Sequence, residues 1–141
     1  MKKEIVVVTA MIAEIGGLYF ISQRPLDTSL AGKWEFPGGK LQFGETLEKC
    51  IKREIKQELG IRVKEAKEVF AVSYAMHDEG KRQIILIALR CRLSSNNVKT
   101  GVRHAWVRPV DMQGYDFCEA DLSFVKKLQN GDLCSGGAIS Q

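Results

Sequence analysis

Residues 36–61 read FPGGKLQFGETLEKCIKREIKQELGI, a glycine-punctuated loop that runs straight into a helical pattern. At about 100° per residue, Leu47, Ile51, Ile55 and Leu59 form one apolar stripe, and Lys49, Lys52 and Lys56 gather on the opposite side. Glu58 falls inside the apolar arc, between Leu47 and Ile51. Glu54 sits at its edge beside Cys50, and Gln57 lies further round the same flank. Two ionised carboxylates one turn apart repel, and desolvating either is costly without a compensating cation. Such carboxylates either reach water or a lysine or arginine at a boundary, or they hold a hard divalent ion that wants oxygen ligands. The preceding loop favours the second reading. Pro37-Gly38-Gly39 and Gly44 let backbone groups approach a ligand with no side chain in the way. A magnesium site next to a glycine loop points to phosphate chemistry.

Outward from that helix, expected over 46–59, the chain alternates strands and helices. Residues 4–12 and 18–22 read as strands joined at Gly16-Gly17. A loop follows, and the stretch from Trp34 to Glu45 is too rich in glycine and proline to predict regular structure. Two apolar strands are predicted over 69–76 and 82–93, with His77-Asp78-Glu79-Gly80 as the turn between them. A short strand is predicted over 103–108, and a last helix over 119–129 in which Leu122, Val125 and Leu128 share a face. The tail, NGDLCSGGAISQ, is expected to be mobile. Mixed strands and helices without repeats imply one α/β domain over 1–130, with residues 131–141 as the tail.

The bulk properties exclude several classes. A chain of 141 residues with 45% apolar and 27% charged residues can bury a core. Its formal charge of +4 is too weak, without clustering, to imply nucleic acid. No apolar run approaches the roughly 20 residues that span a bilayer. The lysines before the first apolar run suggest a signal peptide only superficially, because Glu4 interrupts the run and its β-branched residues suit a strand. Cys50, Cys91, Cys118 and Cys134 form no CxxC pair, and only His77 and His104 are available as partners. A zinc site is therefore not expected, and free thiols in a reducing cytoplasm are.

The motif in the opening stretch resembles the Nudix box. That signature is G, five residues, E, seven residues, then R-E-U-x-E-E-x-G-U, where U is a bulky aliphatic. Gly39, Glu45, Arg53, Glu54, Ile55, Glu58, Gly60 and Ile61 match eight of its nine defined positions at the correct spacing. The flanks, Gln23-Arg24-Pro25 with the run from Ala31 to Lys40 and then residues 115–128, are similar to the MutT-like and CTP-directed branch. The resemblance implies an α/β/α sandwich with a mixed β-sheet. It implies a Mg²⁺- or Mn²⁺-dependent pyrophosphohydrolase that converts a nucleoside triphosphate to a monophosphate and pyrophosphate, acting on cytidine nucleotides or oxidised dNTPs. Glu54 and Glu58 would be metal ligands together with the Gly38 carbonyl, and Arg53 and Glu45 would fix the helix against the loop. Arg24 would reach sugar or phosphates, Phe36 and Phe117 would wall the base, and Asp121 would read the base edge. The alternative for Asp121 is an acid at a helix N-terminus. Tyr74 and Trp106 read as core or rim residues.

Two positions depart from the family pattern. Gln57 replaces the first glutamate of the E-E pair, and its amide carries no charge for a cation. Thr100 stands where MutT-like members place a loop acid six residues before Trp106, and Ser94 to Pro109 contains no acid at all. Both losses predict weaker metal binding, and a nucleotide sensor that has lost turnover is the competing class. An RNA-decapping activity lacks its basic, aromatic-interleaved stripe. A membrane partner is not expected, and either a monomer or a homodimer fits.

Overall fold

The computed structural model describes residues 2–131. Its spine is β1 (Glu4–Ile15), in which alternate side chains face opposite ways. Ala10 and Ile12 enter one buried cluster and Met11 and Ala13 the other, so a single strand serves two cores. A turn at Gly16-Gly17, both at positive φ, returns the chain as β2 (Leu18–Gln23). Its inward residues Phe20 and Ile21 are fully buried. The glycine-rich stretch contributes two short strands where none was expected, β3 (Trp34–Glu35) and β4 (Gly38–Lys40). They form because β2 and β1 offer open edges, with Ser22 opposite Glu35 and Ala10 opposite Gly38. A Cβ at Gly38 would overlap the Thr9 carbonyl, so this pairing needs glycine.

Helix α1 (Leu47–Leu59) starts at Thr46, whose hydroxyl accepts from the Lys49 amide, and ends at Gly60 in the left-handed conformation. Its Ile51, Ile55 and Leu59 are fully buried against one face of the sheet. Each such side chain contributes about 1.5–3 kcal/mol. The next strands are β5 (Val63–His77), longer than the expected 69–76, and β6 (Arg82–Leu93), with the expected bounds, joined by a 3-10 turn at Asp78–Gly80. The charge-rich stretch 64–68, with Ala66 buried in its middle, joins β5 through shifts in register against β6. β6 lies parallel to β1, from Glu4 opposite Arg82 to Ala13 opposite Cys91, and β5 forms the far edge. β7 (His104–Val107) pairs with β2.

The chain closes with a 3-10 turn at Glu119–Asp121 and α2 (Leu122–Gln129), which covers the other face. The inward residues of α2 are Phe124, Val125 and Leu128. Leu122, expected on that face, is the first residue of the helix and is 43% exposed. Tyr74 is exposed rather than core or rim. The result is the expected α/β/α sandwich with a mixed sheet. Cys50, Cys91 and Cys118 are free and buried, and burial pushes the Cys91 and Cys118 thiols up to about 12. Cys134 and the expected mobile tail from residue 132 lie outside the described residues. Among the described residues no helix is long and apolar enough to cross a membrane.

Candidate active site

The loop before α1 is tied to the helix by one guanidinium. Arg53 donates from Nε to Glu45 Oε2 at 2.6 Å, from Nη2 to Glu45 Oε1 at 2.9 Å and from Nη1 to Glu54 Oε2 at 2.7 Å. Nη2 also reaches the Lys40 carbonyl at 3.0 Å. The Gln42 amide donates to Glu45 Oε1 at 2.9 Å. These hydrogen bonds, those from Arg53 foremost, hold the Glu45 carboxyl down at about 2. Fork-to-fork pairing of this kind fixes orientation as well as distance. Arg53 and Glu45 thus join the two halves of the opening motif, 36–45 and 46–61.

Glu54 is held in place from two sides. Arg53 grips one oxygen, and the carboxyl lies over Gly39, where a Cβ would collide with it. The Gly39 carbonyl accepts from the Thr9 hydroxyl at 3.2 Å. Glu58, one turn along, is half-buried, and its Oε1 is buried with no hydrogen-bond partner. Burial pushes its carboxyl up to about 7, with the nearby charges of Glu35 and Glu54 adding to the shift. A buried acceptor without a donor, beside two further carboxylates, matches a site completed by a cation. Among the described residues no three His, Cys, Asp or Glu side chains converge as a cage. A divalent ion fits here only on one or two carboxylates, with backbone oxygen, water or phosphate as the remaining ligands.

Glu58 opens onto a cavity of about 510 Å³ that is also lined by Ser22, Arg24, Glu35, Val102 and Arg103. Arg24 donates from Nη1 to Glu35 Oε1 at 3.1 Å and from Nε to the Ser29 carbonyl at 2.8 Å. Burial raises the Glu35 carboxyl, and Arg24 opposes that shift. Neither Glu35 nor Arg103 stood out in the sequence. Glu35 belongs to a two-residue strand without detectable periodicity, and its importance comes from the Ser22–Glu35 register. The basic character of the Lys99–Arg108 stretch was the one available signal for Arg103.

The two departures occupy defined positions. Gln57 is exposed, away from the buried Glu58 oxygen. Thr100 is not turned towards the carboxylates. Its hydroxyl donates to the Glu58 carbonyl at 2.7 Å, and the Lys99 amide donates to the Leu59 carbonyl at 2.9 Å. The loop therefore satisfies carbonyls that the end of α1 leaves unpaired.

The expected base-pocket residues gather elsewhere. Phe36 and Phe117 are stacked with centroids 5.6 Å apart, both almost fully buried, and Phe36 meets Phe124 edge-on. They belong to the core beneath α2 and do not line the 510 Å³ cavity. Asp121 is buried too and caps nothing with its side chain. Its Oδ1 accepts from the Phe36 amide at 3.3 Å, and burial pushes its carboxyl up to about 8. Of the four residues expected to contact substrate, only Arg24 lines the cavity.

A family model described as the NUDIX domain matches residues 8–127. An 8-oxo-dGTP diphosphatase of Proteus vulgaris is 39% identical over 85 residues, covering 60% of this chain and 73% of that protein. A CTP pyrophosphohydrolase of Escherichia coli is 43% identical over 54 residues, covering 38% of this chain and 40% of that protein. The crystal structure of a MutT protein from Methanosarcina mazei Go1 superposes with a TM-score of 0.80 at 19% identity, covering 94% of this chain and 98% of that one. The last of these is a likeness of fold.

Proposed function

The chain belongs to the Nudix hydrolase family, and on that premise we propose that it is a metal-dependent nucleoside triphosphate pyrophosphohydrolase. Water would attack the phosphate chain, break one phosphoric anhydride bond, and leave a nucleoside monophosphate and pyrophosphate. The observation that carries this reading is the buried, unpartnered Oε1 of Glu58, one helical turn from a Glu54 carboxylate locked by Arg53. Glu54, Glu58 and the Gly38 carbonyl would hold Mg²⁺ or Mn²⁺, with the exposed Gln57 reaching it at most through water. When bound, the metal would lower the pKa of water and offset phosphate charge. Arg53 and Glu45 keep the helix and loop in one geometry, so the carboxylates need no rearrangement when substrate arrives. Glu54 is the candidate base.

Arg24 lies where it can meet sugar or phosphate, while Phe36, Phe117 and Asp121 would support the base from behind as a packed floor. Asp121 is buried, lies outside the cavity lining and accepts from the Phe36 amide, so its carboxyl gives no ground for preferring a cytosine N4 amino group. Oxidised purine and cytidine triphosphates both stay in contention, as the names of the two relatives above suggest.

The test is release of pyrophosphate and phosphate with Mg²⁺ or Mn²⁺ from CTP, dCTP, 5-methyl-dCTP, 8-oxo-dGTP, ADP-ribose and a capped RNA, with Glu58→Gln as control. Pyrophosphate release from one triphosphate, lost in Glu58→Gln, is the expected result. A second reading, a nucleotide sensor without turnover, is favoured by the engagement of Thr100 with the helix end instead of the metal site. Nucleotide binding without hydrolysis of any compound would replace the enzyme with that sensor.

A further inference from the structure

We propose that Arg103 is a specificity-determining residue that grips the phosphate chain of the substrate, supplying positive charge from a loop that has no acid. This rests on the pyrophosphohydrolase reading and names what that cavity selects: a polyphosphate in preference to a monophosphate.

Four observations converge on Arg103. It lines the same cavity as Glu58, Glu35 and Arg24. Arg24 is already engaged, with Glu35 and with the Ser29 carbonyl, so much of its charge is spoken for inside the protein. Among the described residues, the Arg103 guanidinium has neither a hydrogen bond nor an ion pair. Its backbone, in contrast, is held. The Gln23 amide donates to the Arg103 carbonyl at 2.9 Å, and three and four residues earlier the loop is fastened to the end of α1 through Thr100 and Lys99.

A fixed backbone thus brings an exposed arginine with an uncommitted guanidinium to the edge of the cavity, within the reach of its own side chain from an anion bound there. The planar fork of arginine matches two oxygens of a phosphate group. The surrounding sequence points the same way, since Ser94 to Pro109 carries Lys99, Arg103 and Arg108 with no carboxylate. A loop acid would recruit further metal to neutralise the phosphates. A loop arginine neutralises them directly, which suits a site with so few negative ligands. A purely structural Arg103, balancing Glu35 and Glu58 from a distance, would change folding stability but not the ranking of ligands.

The test measures binding without metal and without turnover. Wild type, Arg103→Gln and Arg103→Lys are titrated in EDTA with the α,β-methylene analogues of CTP and dGTP, with inorganic tripolyphosphate, and with CMP and dGMP. The expected result is that Arg103→Gln weakens the triphosphate analogues and tripolyphosphate by about tenfold. The monophosphates should stay within about twofold, and Arg103→Lys should recover part of the loss. Steady-state kinetics should show the same variant raising KM more than it lowers kcat. Equal binding of the triphosphate analogues by Arg103→Gln and wild type overturns the proposal. Equal loss of mono- and triphosphates, or a wild type with no preference for triphosphate, overturns it as well. Wild type that hydrolyses none of the compounds would instead sink the hydrolase reading, so the two failures are distinguishable.

Discussion

Single residues decide how much charge this site offers a cation. Gln57 contributes an uncharged amide at an exposed position, so Gln57→Glu should lower the Mg²⁺ concentration at half-maximal rate by about two- to fivefold. Metal titrations of initial rate would read this directly, and an unchanged midpoint would remove Gln57 from the account of weak binding. Asp121 makes a different prediction, about stability. Its native carboxyl titrates near 8, well above the ordinary aspartate value, because it is buried. Glu35 adds to that shift, while Arg24 and the Phe36 amide oppose it. Below about pH 4 native and unfolded chains both hold the proton. Between there and about pH 8 only the native chain does, so stability falls as pH rises, by at most about 1.4 kcal/mol per pH unit. Asp121→Asn can still accept from the Phe36 amide and has no proton to lose. Urea denaturation between pH 5 and pH 8 should therefore show a flatter profile for the variant. Glu54 and Glu58 were legible in the sequence because helical periodicity alone puts them on and beside a buried stripe. Arg103 and Glu35 were not, because each matters only through the wall it shares with residues distant in the chain.

Among the elements, α1 and the loop before it act as one unit. Arg53→Ala removes the donors to Glu45, Glu54 and the Lys40 carbonyl together. It should lower kcat by about ten- to a hundredfold, as expected when catalytic groups lose their orientation, and leave the circular dichroism of the fold unchanged. Arg53→Lys should recover little, because an ammonium cannot serve three acceptors in one plane. Residues 46–59 could be read as a helix from the 3.6 period of Leu47, Ile51, Ile55 and Leu59, and the Thr46 cap and left-handed Gly60 bound it in the structure. The strands β3 and β4 defeated sequence reading for the opposite reason. Their composition argues against strands, and they exist because a neighbouring strand lacks a partner and Gly38 allows the approach. The first part of β5 was hidden likewise, since lysine and glutamate dominate 64–68 and only the β6 partner and shifts in register accommodate them.

For the molecule as a whole, the two cores lie on opposite faces of one sheet and share β1. Phe124→Ala, on the face away from α1, should cost about 3–5 kcal/mol, and Ile55→Ala about 2–5 kcal/mol. If the faces are one cooperative unit, either loss should shift a single urea transition without splitting it. Two separate transitions would show that the faces unfold apart. The layered class was readable from alternating patterns, whereas the parallel pairing of β1 with β6 was not, because no local pattern links residues 4–13 to 82–91. That pairing sets a timetable for synthesis. β1 ends at Ile15, and its parallel neighbour is not finished until Leu93. At about 5–20 residues per second, the nascent chain carries one open edge of its central strand for several seconds before that neighbour exists. β2 and β4 can cover the other edge in the meantime. Conditions that slow elongation between Gly60 and Leu93 should therefore favour chaperone capture and aggregation far more than a pause after Val107.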